Sequence, residues 1–113
     1  MVYNKIVESE FKYKGESFSR IIDKEDGSIW EANEGAVYAV YDNSGEEVLT
    51  GTLSKSIDNL TLNITIGKTD TSALLGLYRV VVYRTDNGNT EVNDSLYECK
   101  LTFIERKAIS SIK

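Results

Sequence analysis

The residue types that carry most enzyme chemistry are scarce in this chain. It contains no histidine and a single cysteine, Cys99, among 113 residues. Zinc sites are built largely from Cys and His ligands, and the Ser-His-Asp and Cys-His catalytic arrangements both need an imidazole. Those chemistries are therefore excluded. The chain also lacks the glycine motifs that cradle phosphate groups.

Two acidic loops hold the remaining residues with chemical potential. The first contains Asp42, Asn43, Glu46 and Glu47, and the second contains Asp23, Glu25 and Asp26. Oxygen ligands of this kind suit calcium, but neither loop has the alternate-residue spacing of an EF-hand. A glycosidase needs two carboxylates at a set separation, which nothing in the sequence indicates. We interpret both loops as solvated turns, and we expect a protein that is not an enzyme, with no metal and no cofactor.

Two single residues have alternative interpretations. Trp30 is the sole tryptophan, and it fits either a core plug beneath a loop or an anchor that contacts a partner. Cys99 falls on the apolar side of its predicted strand, which favours a small core residue over a reactive thiol. A lone cysteine cannot form a disulfide within the chain.

The charge balance bears on the partners. The net charge is −5, which argues against nucleic acid because phosphate binding depends on clustered Lys and Arg. No apolar run is long enough to span a bilayer. We therefore expect protein partners rather than nucleic acid or a membrane.

The elements that position these residues are predicted to be strands. The run 77–83 is β-branched and aromatic apart from one arginine, which is typical of a central strand. Leu74, Gly76 and Tyr78 stand at spacing two, as in a tyrosine corner. There the tyrosine hydroxyl bonds the backbone a few residues upstream and holds the arch between two sheets. The alternative is a tyrosine that merely opens an ordinary strand.

Alternating apolar residues and turn signals predict the other strands over residues 11–13, 17–23, 36–41, 46–52, 60–66 and 96–104. In strand 36–41 both faces are apolar, so we expect it to be covered on both sides or to meet a partner. Residues 53–59 should change sheets. The fold class is therefore all-β, an immunoglobulin-like Greek-key β-sandwich of about seven strands with a tyrosine corner.

The connections have their own signals. Residues 67–75 form the predicted arch, with a helical turn over 71–75 capped by Thr69 or Asp70. Asn87 and Gly88 predict a tight hairpin. Residues 91–95 are polar and are interpreted as a loop.

The two ends of the chain are the predicted docking segments. We divide the chain into an N-terminal arm or edge strand (1–10), a sandwich domain (11–105) and a C-terminal tail (106–113). Both ends hold a few β-branched residues that can pair with a neighbour's sheet edge. The candidate partner-binding residues are Val2, Ile6, Val7, Trp30, Arg106, Lys107, Ile109 and Ile112.

The order of turn and strand sequences resembles a known group of proteins. The matching stretches are 14–20, 26–29, 35–38 and 42–47, followed by 60–62, 71–74, 76–80, 86–88 and 101–103. Together they resemble small immunoglobulin-like domains of bacteriophage tail and baseplate components, including the N-terminal domain of baseplate upper proteins. The chain departs from that group at 32–34, where the group usually has a Leu-Thr pair.

The resemblance implies a structural or assembly protein of a bacteriophage particle, in the tail, baseplate, neck or head. Its location would be the virion, after synthesis in the cytoplasm of the host bacterium. Its partners would be other virion proteins and copies of itself. The alternative is a carbohydrate-binding or calcium-binding β-sandwich module. Exposed aromatic residues near the acidic loops would favour that alternative, and Tyr3, Tyr13, Tyr38 and Tyr41 are the candidates.

Overall fold

The computed structural model describes residues 6–24 and 26–105, with the backbone alone at residues 6, 7, 92 and 93. These residues form eight strands and one helix: β1 (Ile6–Tyr13), β2 (Phe18–Asp23), β3 (Glu34–Tyr41), β4 (Glu47–Thr52), β5 (Ser54–Lys55), β6 (Thr61–Ile66), α1 (Lys68–Thr71), β7 (Gly76–Asp86) and β8 (Asn89–Ile104). None of the helical structure in this part of the chain is long and apolar enough to cross a membrane.

The strands form two sheets. The larger sheet has five strands in the order β1-β8-β7-β3-β4, and the smaller has three in the order β2-β6-β5. β1 runs parallel to β8, and every other pair is antiparallel. The predicted all-β fold with two sheets is confirmed, and so is the change of sheet after β4.

The core lies between the two sheets. β6 contributes Leu62, Ile64 and Ile66, while β8 contributes every second residue from Tyr97 to Phe103. This period of two is the alternation that the sequence predicts for both strands. Cys99 is fully buried in this layer, as expected of a small core residue.

Trp30 belongs to this core. Its side chain is 2% exposed, and its backbone N–H donates a hydrogen bond to the Asn59 carbonyl at 2.7 Å. The Lys24 ammonium covers the ring at 5.3 Å from the ring centroid. A side chain buried to this degree cannot anchor a partner, so the partner-contact interpretation of Trp30 is wrong and the core-plug interpretation holds.

The arch between β6 and β7 carries the chain from one sheet to the other. Its helical turn lies at Lys68–Thr71 with Gly67 as N-cap and no side-chain cap, so the predicted turn over 71–75 capped by Thr69 or Asp70 is wrong. The turn closes earlier because Thr71 is buried, with its hydroxyl donating to the Lys68 carbonyl at 3.3 Å.

The three predicted corner residues meet just after this turn. Leu74 is buried in the core, and Gly76 has a φ of +102°, a conformation that favours glycine. The Tyr78 hydroxyl donates to the Leu75 carbonyl at 3.2 Å and lies equally close to the Leu75 N–H. The Tyr78 ring packs edge-on against Phe103, with 6.1 Å between ring centroids.

The β7–β8 hairpin is longer than the sequence suggests. Asn87 and Gly88 have φ angles of +52° and +82°, which confirms the predicted tight turn. The expected loop at 91–95 is wrong, because β8 already begins at Asn89. This part of the hairpin pairs with β7 across two register shifts. None of residues 89–91, 94 and 95 belongs to the core, so these residues lack the apolar alternation that would reveal a strand.

The chain start forms an edge strand, one of the two forms expected for it, rather than an arm. β1 forms one edge of the larger sheet and continues past the expected domain boundary at residue 11. Ile6 and Val7 pair with β8 of their own chain, opposite Tyr97 and Glu98. With 16 residues, β8 is long enough to offer its edge to this segment. Val2 and the tail residues Arg106, Lys107, Ile109 and Ile112 lie outside the described residues.

Replacing Tyr78 tests the contribution of the arch contact. Tyr78→Phe keeps the ring on Phe103 and removes only the hydroxyl, so we expect a loss of about 1 kcal/mol in the free energy of unfolding. Tyr78→Ala also loses the ring packing and should cost roughly 3 kcal/mol. Urea melts of the two variants measure both losses. A Tyr78→Phe protein as stable as the parent would show that the hydroxyl does not hold the arch.

Candidate functional site

Four apolar side chains form a patch on the outer face of the larger sheet. Phe11, Thr102 and Leu77 lie in one row across β1, β8 and β7, and Tyr13 pairs with Ile104 in the next row. Alternation places them opposite the buried layer, because Lys12 and Phe103 occupy the inward positions between them. We call Phe11, Tyr13, Leu77 and Ile104 the apolar patch.

The apolar patch is unusual because it extends onto β1, an edge strand, and its side chains are exposed. Phe11 is 73% exposed, and the other three members are between 38% and 46% exposed. Edge strands usually carry charged or short side chains that discourage contact. Contiguous exposed apolar surface commonly marks a place where another protein binds. The patch can therefore bury apolar area against a partner.

The centre of the same face is covered by the chain's own side chains. Ala39 of β3 and Val81 of β7 point outward yet are 4% and 2% exposed. Tyr41 and Tyr83 share a hydrogen bond between their hydroxyls at 3.0 Å, and the Arg79 guanidinium lies 5.0 Å from the Tyr41 ring centroid. The prediction that β3 is covered on both faces is thus confirmed, and the cover comes from this chain.

A groove of about 370 Å³ runs along β3 and β4 beside these tyrosines. Its polar lining comes from Tyr41, Tyr83, Thr50, Thr52, Thr90 and Glu47. The hydrogen bond with Tyr83, together with burial, raises the pKa of Tyr41 to about 12. The Tyr41 hydroxyl therefore stays protonated near neutral pH and can donate or accept hydrogen bonds.

A second feature joins the two sheets at the β1 edge. Arg20 of β2 lies beneath β1, where its Nε donates to the Glu8 carboxylate at 3.1 Å and its terminal nitrogen donates to Glu10. Its guanidinium also covers the Phe18 ring at 4.6 Å from the centroid. The Tyr97 hydroxyl donates to Glu8 as well. We call Glu8, Glu10 and Arg20 the Arg20 cluster.

The surroundings of the Arg20 cluster shift the protonation of its members. The hydrogen bond from Tyr97, followed by that from Arg20, lowers the pKa of Glu8 below its usual value of 4.5. Burial and the bond to Glu8 raise the pKa of Tyr97, and burial raises the pKa of the Cys99 thiol. The Lys12 ammonium completes the set of charges, 3.7 Å from Glu10. Glu8 is therefore ionised near neutral pH, where it pairs with the Arg20 guanidinium.

The acidic loops use their carboxylates within their own turns. Asp42 accepts hydrogen bonds from the Ser44 hydroxyl at 2.6 Å and from the Glu46 N–H at 3.0 Å. Asp26 accepts from the Ser28 hydroxyl at 2.6 Å. These bonds lower the pKa of both Asp42 and Asp26. Over residues 6–24 and 26–105, no group of three or more acidic or cysteine side chains is arranged to hold a metal ion.

The other predicted site residues are scattered. The corner residues come together at the arch. Tyr13 joins the apolar patch, and the groove is lined by Tyr41 and by Tyr38, which is only 8% exposed. Tyr3 lies outside the described residues. Sequence reasoning missed Phe11, Leu77 and Ile104, because only strand pairing brings them together. Arg20 did carry a signal, since it interrupts an otherwise apolar face of β2.

No protein-family model matches this chain, and no curated protein is significantly similar to it in sequence.

The low pKa of Glu8 predicts how acid affects stability. Because the folded-state pKa is below the unfolded one, ionised Glu8 stabilises the fold above the unfolded pKa, and this contribution is lost as the pH falls through the folded pKa. Glu8→Gln should therefore be less stable than the parent near neutral pH, and the difference should shrink as the pH falls below the unfolded pKa of about 4.3. Urea melts from neutral to acidic pH measure it. Equal curves for Glu8→Gln and the parent at every pH would contradict the role of Glu8.

Calcium should not change the stability of the protein. The carboxylates of Asp42 and Asp26 already accept hydrogen bonds from their own turns, so a calcium ion would have to displace those bonds. We expect Tm to stay within about 1 °C when EDTA is exchanged for millimolar calcium. A calcium-dependent rise of several degrees that Asp42→Ala abolishes would instead identify a cation site in the loop.

Proposed function

We propose that this chain is a non-enzymatic structural protein of a bacteriophage particle, in its tail, baseplate, neck or head, that acts through protein–protein contacts. Its partners are other virion proteins and further copies of itself. The resemblance of its turn and strand sequences to phage immunoglobulin-like domains supports its assignment to a phage particle. The apolar patch supports its action through protein–protein contacts.

The finer fold assignment within this proposal is an immunoglobulin-like Greek key. Two features support it. In the order of immunoglobulin strands, β1-β8-β7-β3-β4 corresponds to the sheet containing strands G, F and C, and β2-β6-β5 corresponds to strands B, E and D. In addition, the Tyr78 hydroxyl contacts the backbone of Leu75 at the start of β7, where immunoglobulin-like domains have the tyrosine corner.

The observation that carries the proposed function is the apolar patch. Four apolar side chains stand together on a regular sheet face, while the neighbouring loop satisfies the Asp42 carboxylate with its own hydrogen bonds. When a partner covers such a face and removes it from water, the complex is stabilised by about 25 cal/mol for each Å² of apolar surface buried. In a particle with many identical copies, each copy would contribute this stabilisation.

A second candidate function, saccharide binding, is favoured by the groove beside β3 and β4. Its hydroxyl groups and the Glu47 carboxylate offer the donors and acceptors that a sugar needs, and its volume suits a small ligand. The Arg79 guanidinium already covers one face of the Tyr41 ring, which leaves less aromatic surface for stacking. Glycan-array binding that Tyr83→Phe weakens would support this function over the first.

Polar replacement of the apolar patch tests the first function. The variant Phe11→Thr with Leu77→Thr keeps residues that favour strands but removes two large exposed side chains. We expect circular dichroism to be unchanged and cosedimentation with particles lacking the native copy to fall at least about tenfold, since each lost apolar contact is worth roughly 1.5 kcal/mol or more.

The matched control is Ile21→Thr. Ile21 is 71% exposed on a strand of the smaller sheet, so its replacement removes one large exposed apolar side chain from the opposite side of the molecule. This variant should cosediment as the parent does. If the patch variant also cosediments like the parent, the contact surface lies elsewhere.

A further inference from the structure

β1 contributes none of its described side chains to the apolar core of the domain. The inward side chains of its described part are Glu8, Glu10 and Lys12, opposite Cys99, Leu101 and Phe103 of β8. The contacts described for the strand are its parallel backbone ladder with β8, the hydrogen bond from the Tyr97 hydroxyl to Glu8, and the Arg20 cluster. None of these contacts requires the strand to come from the same chain.

The place that β1 occupies has a defined chemistry. It consists of the open edge of β8 and the Arg20 guanidinium, and we call it the β1 seat. Carboxylates two residues apart in an extended strand stand about 7 Å apart on one face. Arg20 presents donors in a fixed fork, and it bonds both Glu8 and Glu10. An occupant without these two carboxylates would leave the Arg20 guanidinium, whose side chain is only 27% exposed, with the Ser19 carbonyl as an acceptor but no anionic partner.

The connection between β1 and β2 is a short turn that can open. The Glu16 N–H donates to the Tyr13 carbonyl at 3.0 Å, and the Tyr13 N–H donates to the Glu16 carboxylate at 2.7 Å. Gly15 has a φ of +89°, and glycine is equally free to adopt an extended conformation. Opening this turn disrupts local hydrogen bonds at the surface and no core contact.

We infer that the β1 seat accepts β1 of a second copy of this chain, so that two copies exchange their first strands reciprocally. The exchanged strand brings Glu8 and Glu10 to the partner's Arg20 and the same backbone ladder to β8. Every contact of β1 is then remade, and only the turn at residues 14–17 changes. The inference rests on the proposed assembly function. It identifies a second copy of this chain as one partner and β1 as the segment that joins the two copies.

Paired cysteines in the full chain distinguish an exchanged strand from a closed one. Ser9 and Lys100 are exposed and opposite each other in β1 and β8. In Ser9→Cys with Lys100→Cys, a short bismaleimide links the two positions within one chain when the domain is closed, and between chains when β1 is exchanged. Ser19→Cys with Thr65→Cys is the matched control, because β2 and β6 pair within one chain in both cases. The parent, whose only cysteine is buried, gives the background.

The purified proteins are concentrated, diluted and then cross-linked. We expect the first variant to give covalent dimers on denaturing gels, in amounts that rise with the initial concentration, while the control stays monomeric. Intrachain linkage at every concentration would overturn the exchange. It would leave the proposed function standing if the parent still cosediments with particles, since that contact can use the apolar patch alone.

A competing peptide tests the chemistry of the seat. A peptide of the β1 sequence, residues 6–13, should suppress the covalent dimer when it is present during concentration. The same peptide with Glu8→Gln and Glu10→Gln should need about tenfold more to do so, because it loses two charge-assisted hydrogen bonds. Dimers that neither peptide suppresses would overturn the exchange, because they would arise from contact between faces of closed domains.

Discussion

The burial of two facing apolar layers is the constraint on which the rest of this structure depends. Leu62, Ile64 and Ile66 of the smaller sheet face the layer of β7 and β8 in the larger one. Because side chains alternate along a strand, fixing the inner layer also fixes which residues point outward. The apolar patch therefore follows from the core: Leu77 points outward because Val80 and Val82 must point inward. A shift of one residue in β7 or β8 would turn the patch residue of that strand into the interior and expose its core residues.

The sequence predicted the parts of the fold whose signals are local. Strand β6 shows uninterrupted alternation, and Asn87 with Gly88 specifies the tight turn without help from distant residues. The start of β8 was missed because residues 89–91, 94 and 95 lie outside the apolar core and carry no apolar alternation. The helical turn was displaced because burial of Thr71 determined where it closes, and capping preferences did not.

The candidate site was less predictable, because it depends on pairing between distant segments. Phe11 reaches Leu77 only through the parallel ladder of β1 on β8, and parallel pairing leaves no turn signal between its two strands. Tyr13 was singled out among the aromatics, but its neighbours in the patch were not. The sequence indicated only one member of the Arg20 cluster, an arginine that interrupts an apolar face of β2. Its partners Glu8 and Glu10 lay in a segment interpreted as an arm or edge strand.

The two features at the β1 edge have complementary consequences for assembly. Charged side chains that point inward from an edge strand discourage indiscriminate pairing with other strands, and Glu8, Glu10 and Lys12 are such residues. The apolar patch on the outward side of the same strand favours contact. At this edge, the inward charged side chains limit which strands can pair with the domain, and the outward apolar patch strengthens the contact with a partner. Hydroxyl-radical footprinting of the protein, free and bound to particles, tests this account most directly. We predict that oxidation of Phe11, Tyr13, Leu77 and Ile104 falls on binding while that of Ile21 and Ile57 is unchanged; protection of Ile21 and Ile57 with an unprotected apolar patch would contradict it.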